Sequence, residues 1–266
     1  MTSRRWQDLT TEDFATLDRA STVAVLAVAA TEQHGPHLPL STDATIAAGI
    51  LDRALALLPA RVSALALPPL DIGTSPEHAD FPGTLSVGAP TLIAALREIG
   101  QSVARAGVRK LVLLNSHGGQ PGVMSIAAQE LRARAQMAVA VANTWALMRP
   151  VDVFPEAEIA IGIHGGAVET AMILHLAPHL VRRERIADFR PRNADIAKDF
   201  PTLAPAGRVR VAWQAQDLNP AGVLGDARLA NEAAGKVLVD QAARALATII
   251  EELSRVPLDR IFGDTK

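Results

Sequence analysis

The chain of 266 residues contains no cysteine and no tyrosine. Without cysteine there is no disulfide, no thiolate metal site and no cysteine nucleophile, so any metal must sit on His, Asp or Glu. Aromatic residues make up 3% of the chain, too few for the stacking platforms that hold single-stranded nucleic acid. Charge of one sign is also lacking: 26 Lys+Arg stand against 28 Asp+Glu, a formal net charge of -2. That balance argues against a nucleic-acid binder held by phosphate contacts. The longest apolar runs, such as Val23 to Ala30, fall far short of the ~18–20 residues needed to cross a bilayer. Acidic residues rather than an apolar core follow Met1 to Trp6, so neither a signal peptide nor a twin-arginine export signal is expected. What is present is a 49% apolar fraction and a mean hydropathy of +0.18, enough for a sizeable core. The expectation is a cytoplasmic globular protein with no membrane or nucleic-acid partner.

Apolar runs of strand length alternate with longer segments of helical period. Strands are predicted at Val23–Ala30, Val62–Leu67, Val108–Leu114 and Met137–Ala142, with a short one at Val209–Trp213. Helices are predicted at Thr45–Leu58, Pro90–Ala106, Val123–Ala135, Val168–Leu176 and Ala227–Leu253. Pro90 near a helix start and Gly107 just past its end follow the usual asymmetry. This alternation predicts an α/β fold, with helices on both faces of a mostly parallel sheet whose strands are buried on both sides. No internal repeat or low-complexity linker divides the chain, and Arg182 to Gly207 reads as a long surface excursion. One domain over residues 1–266 is expected.

Five of the seven histidines fall at or near predicted strand ends, in segments dense with Gly, Pro and acidic residues. Ligands of open α/β sheets bind in crevices outside the carboxyl ends of strands. In the first such segment, Glu32 and His34 are two apart and would share one face of a continuing strand. Asp43 opens a helix, where the N-terminus favours a carboxylate. This is a donor set for Zn²⁺, Mn²⁺ or Fe²⁺, or else a helix cap beside a turn histidine. His117, in Asn115-Ser116-His117-Gly118-Gly119, follows the third strand; Gly-x-Gly-x-x-Gly is absent, so a ligand reads better than a dinucleotide loop. His164 and Glu169 would sit about 140° apart on a continuous helix. They converge only if Gly165 and Gly166 keep His164 in a loop before it. Glu169 beside Ala, Met and Ile needs a cation or a donor nearby. Ser75 and His78 offer substrate contacts, or ordinary turn caps. His175 and His179 suit a helix C-terminus.

Together these segments resemble the creatininase (creatinine amidohydrolase) family. The matching pieces are Glu32-Gln33-His34-Gly35-Pro36-His37 with Asp43, Glu77-His78 with Phe81-Pro82-Gly83-Thr84, Asn115-Ser116-His117-Gly118-Gly119, His164-Gly165-Gly166-Ala167-Val168-Glu169-Thr170 and Gly222-Val223-Leu224-Gly225-Asp226. They span about residues 20–250. The resemblance implies a three-layer α/β/α fold, two divalent metal ions, hydrolysis of a non-peptide or cyclic C–N amide bond of a small molecule, and a homo-oligomer, often a hexamer. By position it makes Glu32, His34, Asp43 and His117 metal ligands, with Asp43 bridging, and His164 the catalytic histidine. Creatininase has a Glu where this chain has Gly119. Branches with His-Gly-Gly complete the site from the Glu-Thr motif, which makes Glu169 the fifth ligand. Creatininase also has an acid where this chain has Ile163, so creatinine is not expected as the substrate.

Zn²⁺ is the first choice of metal, with Mn²⁺ or Fe²⁺ as alternatives. Two such cations sharing Asp43 would supply a metal-activated hydroxide near neutral pH. His164 would move a proton to the leaving nitrogen. The other readings are a peptidase or formamide hydrolase of the same family, and a non-catalytic metal-containing ligand-binding protein.

Overall fold

The computed structural model describes residues 4–192, 202 and 211–263. Its central sheet has four parallel strands: β1 (Val23–Val28), β2 (Ala64–Ala66), β3 (Lys110–Asn115) and β4 (Ala138–Asn143), in the order β2-β1-β3-β4. Val23 pairs with Ala64 on one side and Lys110 on the other, and Lys110 pairs with Ala138. Helix α1 (Thr11–Thr16) precedes the sheet, closed by a capping box between Thr10 and Asp13. Helices α2 (Thr42–Leu57), α3 (Ala89–Arg105) and α4 (Pro121–Ala135) connect the strands. After β4 come α5 (Glu156–Ile161), α6 (Ala167–Leu176), the strand β5 (Asp188–Phe189), α7 (Ala215–Leu218), β6 (Gly225–Asp226) antiparallel to β5, α8 (Glu232–Arg255) and α9 (Leu258–Phe262).

The two-residue period of a strand divides its side chains between two cores. Val23, Val25, Ala27, Val112 and Leu114 face α2, α6 and α8, through Ile50, Met172 and Leu246 among others. Ala24, Leu26, Val28, Leu111 and Leu113 face α3 and α4, through Leu96 and Leu131. Strands β1, β2 and β3 are thus buried on both faces, which is why they read as apolar runs, while the edge strand β4 is half-buried. The result is the expected three-layer α/β/α architecture. No described helix is long and apolar enough to cross a membrane.

The differences from the sequence expectation have local causes. Helix α2 begins at Thr42 rather than Thr45, because Thr42 N and Oγ1 both donate to Pro39 O (3.2 and 2.8 Å) and start the turn early. Strand β1 ends at Val28, so Glu32 and His34 lie in the loop beyond it, not on a strand face. The expected Ala227–Leu253 helix is a single 3₁₀ turn at Ala227–Leu229 followed by α8, whose start is capped by Asn231 accepting from Ala234 N at 2.9 Å. Of the short strand expected at Val209–Trp213, residues 209–210 lie outside the described residues, and residues 211–213 form no strand. Most of the Arg182–Gly207 excursion, residues 193–201 and 203–207, also lies outside them. Helices α1 and α5, six residues each, are too short to show a period.

Candidate metal centre

From β1 the chain crosses to β2 on one side, then returns through α3 to β3 on the other. The crevice between β1 and β3 is thus a topological switch point, where α/β sheets place their ligands. The loop after β1 delivers Glu32 and His34 there, α2 delivers Asp43 from its first turn, and the loop after β3 delivers His117. Glu32 Oε1 lies 3.0 Å from His117 Nδ1, which lies 3.5 Å from Asp43 Oδ2. On the other side of the same carboxylate, His34 Nε2 lies 3.4 Å from Asp43 Oδ1 and 3.7 Å from Glu169 Oε2. Two groups of potential ligand atoms result, Glu32–Asp43–His117 and His34–Asp43–Glu169, each within 4.8 Å, with Asp43 offering one oxygen to each. Glu32, His34 and His164 form a third such group.

Glu32, His34 and Asp43 are each at most 1% exposed. Among the described residues Glu32 Oε2, His34 Nε2 and Asp43 Oδ2 have no hydrogen-bond partner. Each such buried atom costs about 1–3 kcal/mol, and three of them converge here. Carboxylate oxygen and imidazole nitrogen are the donors that divalent zinc, manganese or iron takes, so the residues present fit that group.

The protein fixes each donor from behind. His117 Nε2 donates to Thr74 O at 3.0 Å, which leaves Nδ1 for the carboxylates. Asn115 accepts from His117 N (3.1 Å) and donates to His117 O (2.9 Å), and is itself held by Gln120 and Asn143. Glu169, third in α6, accepts from Gly165 N at 2.5 Å. Gly165 stands at φ +64°, the left-handed region that glycine enters without penalty. That turn holds His164 outside the helix while Glu169 faces His34.

Beneath this turn lies Glu158, a carboxylate 4% exposed. Its Oε1 accepts from Ala167 N (3.0 Å) and its Oε2 from Asp226 N (2.8 Å), tying α6 to β6. Gly162, Gly166 and Gly225 crowd round it, and a Cβ on any of them would come within 2.8 Å of Oε1. Leu224 N donates to His164 O at 2.8 Å, so the β6 segment also clamps the histidine backbone.

Burial opposes the charge on His34, but Asp43, Glu169 and Glu32 outweigh it and push its pKa up to about 9. His117 is likewise raised well above its ordinary value, against burial, by Glu32 and Asp43. Burial raises Asp43, yet the neighbouring imidazoles of His117 and His34 bring it down to about 2. Burial lifts Glu169 to about 7. The two raised imidazoles mark where the surrounding carboxylates favour positive charge. His164 behaves oppositely: burial, then the fields of His34 and His78, hold it well below the imidazole range and neutral. Burial also brings His78 down to about 4.

Among the residues singled out in the sequence, Glu32, His34, Asp43, His117, His164 and Glu169 come together. So do Ser75, whose Oγ lies 3.3 Å from His117 Nε2, and His78, whose ring stacks on His164 at 4.2 Å. His37 is buried beside them, with Nε2 2.9 Å from Thr170 Oγ1. His175 and His179 flank the end of α6 and belong to none of the candidate ligand groups among the described residues. Sequence reasoning missed three residues. Gln33 sits between two candidate ligands in sequence and gives no signal of its own. Glu77 Oε1 lies 3.4 Å from His117 Nε2 and fills the space a side chain at Gly119 would take; its place beside His78 in the matched motif was the available sign. Glu158 gives no signal in the sequence either, since the fold alone brings Gly162, Gly166 and Gly225 around it.

A profile of the creatininase family, described as creatinine amidohydrolase, matches residues 7–250. The mycofactocin precursor peptide peptidase of Mycobacterium tuberculosis (strain ATCC 25618 / H37Rv) is 34% identical over 241 residues, 87% of either chain. The creatinine amidohydrolase of Pseudomonas putida is 28% identical over 86% of this chain and 89% of its own. The crystal structure of creatinine amidohydrolase (creatininase) superposes with a TM-score of 0.76 at 26% identity, covering 100% of both chains. Similar solved creatininases include a Zn-Zn form and a manganese form. With the same layers, and a group of side chains at the switch point that could hold a metal ion, this chain belongs to the creatininase family of metal-dependent amidohydrolases.

Proposed function

We propose that the chain hydrolyses an amide C–N bond of a small molecule, non-peptide or cyclic, with two divalent cations held by Glu32, Asp43 and His117 and by His34, Asp43 and Glu169. The observation that supports this reading best is the convergence of three buried, partnerless ligand atoms on the two sides of Asp43. Zinc is the first choice of metal, in line with the Zn-Zn creatininase, and manganese is the alternative. Divalent cations bound there acidify water and polarise the amide carbonyl.

The protein's own groups do the rest. Neutral His164 accepts a proton from water as its oxygen bonds to the carbonyl carbon. It returns that proton to the nitrogen as the C–N bond breaks, giving a carboxylic acid and an amine; such transfer contributes about 10²–10⁴-fold. Ser75 and His78 flank His117 and His164, and are the candidates for holding substrate. The family match running from residue 7 to 250 favours one creatininase-like domain.

A peptidase is the second reading, favoured by the higher identity to the mycofactocin precursor peptide peptidase than to creatinine amidohydrolase. Elemental analysis of the purified chain beside Asp43→Ala tests the centre, and a screen of creatinine, other cyclic amides and short peptides tests the bond. Two divalent ions per chain, lost in the variant, with turnover of one of these amides, is the expected result. No metal after reconstitution with zinc, manganese or iron overturns it.

A further inference from the structure

Gln33 lies between two candidate ligands yet ligates nothing. Its hydrogen bonds can be accounted for atom by atom. Oε1 accepts from Gly35 N at 2.9 Å, and Nε2 donates to Gly222 O at 2.8 Å. These two backbone partners fix which end of the amide is oxygen. Nε2 has one hydrogen left, and His78 Nδ1 lies 2.8 Å away, so His78 Nδ1 is the acceptor and its proton sits on Nε2. Meanwhile His164 Nε2 lies 2.7 Å from the main-chain oxygen of Gln33, so it must donate there and keep its lone pair on Nδ1. The 3.2 Å approach of Gln33 Nε2 to His164 Nε2 is then a contact between two donors, with no hydrogen left over to bridge it.

Both histidines thus carry the same tautomer but face opposite ways. His78 turns its Nε2–H towards Glu32 Oε1, 3.7 Å away. His164 turns its bare Nδ1 towards the same oxygen, 3.8 Å away. Their rings stack with centroids 4.2 Å apart at 24°. We propose that Gln33 is a positioning residue that orients this pair, one side chain amide and one carbonyl fixing an imidazole donor and an imidazole acceptor side by side at the centre. Resting on the amidohydrolase reading, His164 is the group that takes the proton, and the His78 N–H is the group that holds the amide oxygen.

The test is ¹⁵N NMR of the imidazoles in the metal-free and zinc-loaded full chain, assigned with His78→Asn and His164→Asn. Both His78 and His164 are expected as Nε2–H tautomers in the wild type. In Gln33→Glu, a carboxylate that can only accept replaces the amide donor, so His78 is expected to move its proton to Nδ1 while zinc content stays at the wild-type level. A Nδ1–H tautomer for either histidine in the wild type, or an unchanged His78 in Gln33→Glu, overturns the proposal. Should Gln33→Glu fail to fold, the wild-type spectrum decides alone. Metal content separates the two readings: a wild-type chain that takes up no zinc, manganese or iron overturns the amidohydrolase reading, and the metal-free spectrum still decides the role of Gln33.

Discussion

The two halves of the candidate centre are built by different means. Glu32 and His117 stand on loops that leave the carboxyl ends of adjacent strands, and Asn115, Thr74 and Gln120 brace His117 against the sheet. His34 shares that first loop, but its partner Glu169 comes from a helix outside the sheet, reached through a glycine turn. One half inherits its geometry from the sheet. The other depends on Glu158 and the β6 segment, which hold that turn from below. A dry parallel sheet gives side chains a fixed place at little extra cost, whereas a site reached from elsewhere needs its own scaffold.

Substitutions can break this comparison, beginning with the residue common to both halves. Asp43→Ala should empty both halves and reduce amide hydrolysis by ~10³-fold or more; elemental analysis showing one ion retained would mean that the halves do not share it. Glu169→Gln should weaken only the second half, by more than about 10²-fold in affinity for its cation, and leave one ion per chain. Competitive chelator titration reads this, and Glu32→Gln should show the reverse order of loss. Glu158→Ala touches no donor atom, yet it strands Ala167 N and Asp226 N. It should cost about 2–4 kcal/mol of stability and loosen the second cation while sparing the first. Equal loss from both halves would show that the scaffold is shared.

The smallest effect is one of pH, in the metal-free chain. The folded-state pKa of His34, about 9, lies above the ordinary value of 6.5. Its contribution is therefore fully present below pH 6.5 and is lost as pH rises through 9. Thermal melts of chelator-treated protein should fall between about pH 7 and 10. Asp43, depressed to about 2 from 3.8, adds stability that is lost only as pH falls through 2. Metal-loaded protein should not share the alkaline decline, since His34 is then held without its proton.

The same contrast explains what was legible in the sequence. Strands β1 and β3 read as apolar runs because both faces are buried, and the half-buried edge strand β4 is apolar as well, so composition alone locates them. Helix α3 announces itself by Pro90 at its first turn, whereas α4 starts at Pro121, two residues ahead of the expected Val123. The strand-end donors Glu32, His34 and His117 follow from where such sheets bind ligands. The geometry of Glu32 and His34 did not, because β1 stops at Val28 and a loop, not a strand face, presents them. Glu158 and Gln33 were illegible for a further reason. Glu158 acts on Ala167 and Asp226, 9 and 68 residues away, and Gln33 on Gly222, 189 residues away. No local pattern records a partner at that distance.

The carboxylate of Glu158 also couples two backbone amides that are far apart in the chain. Ala167 N–H and Asp226 N–H share it as their acceptor, so a single opening motion exposes both to water. The two protons should exchange for deuterium at a common rate, making the start of α6 and the β6 segment one cooperative unit of local unfolding rather than two.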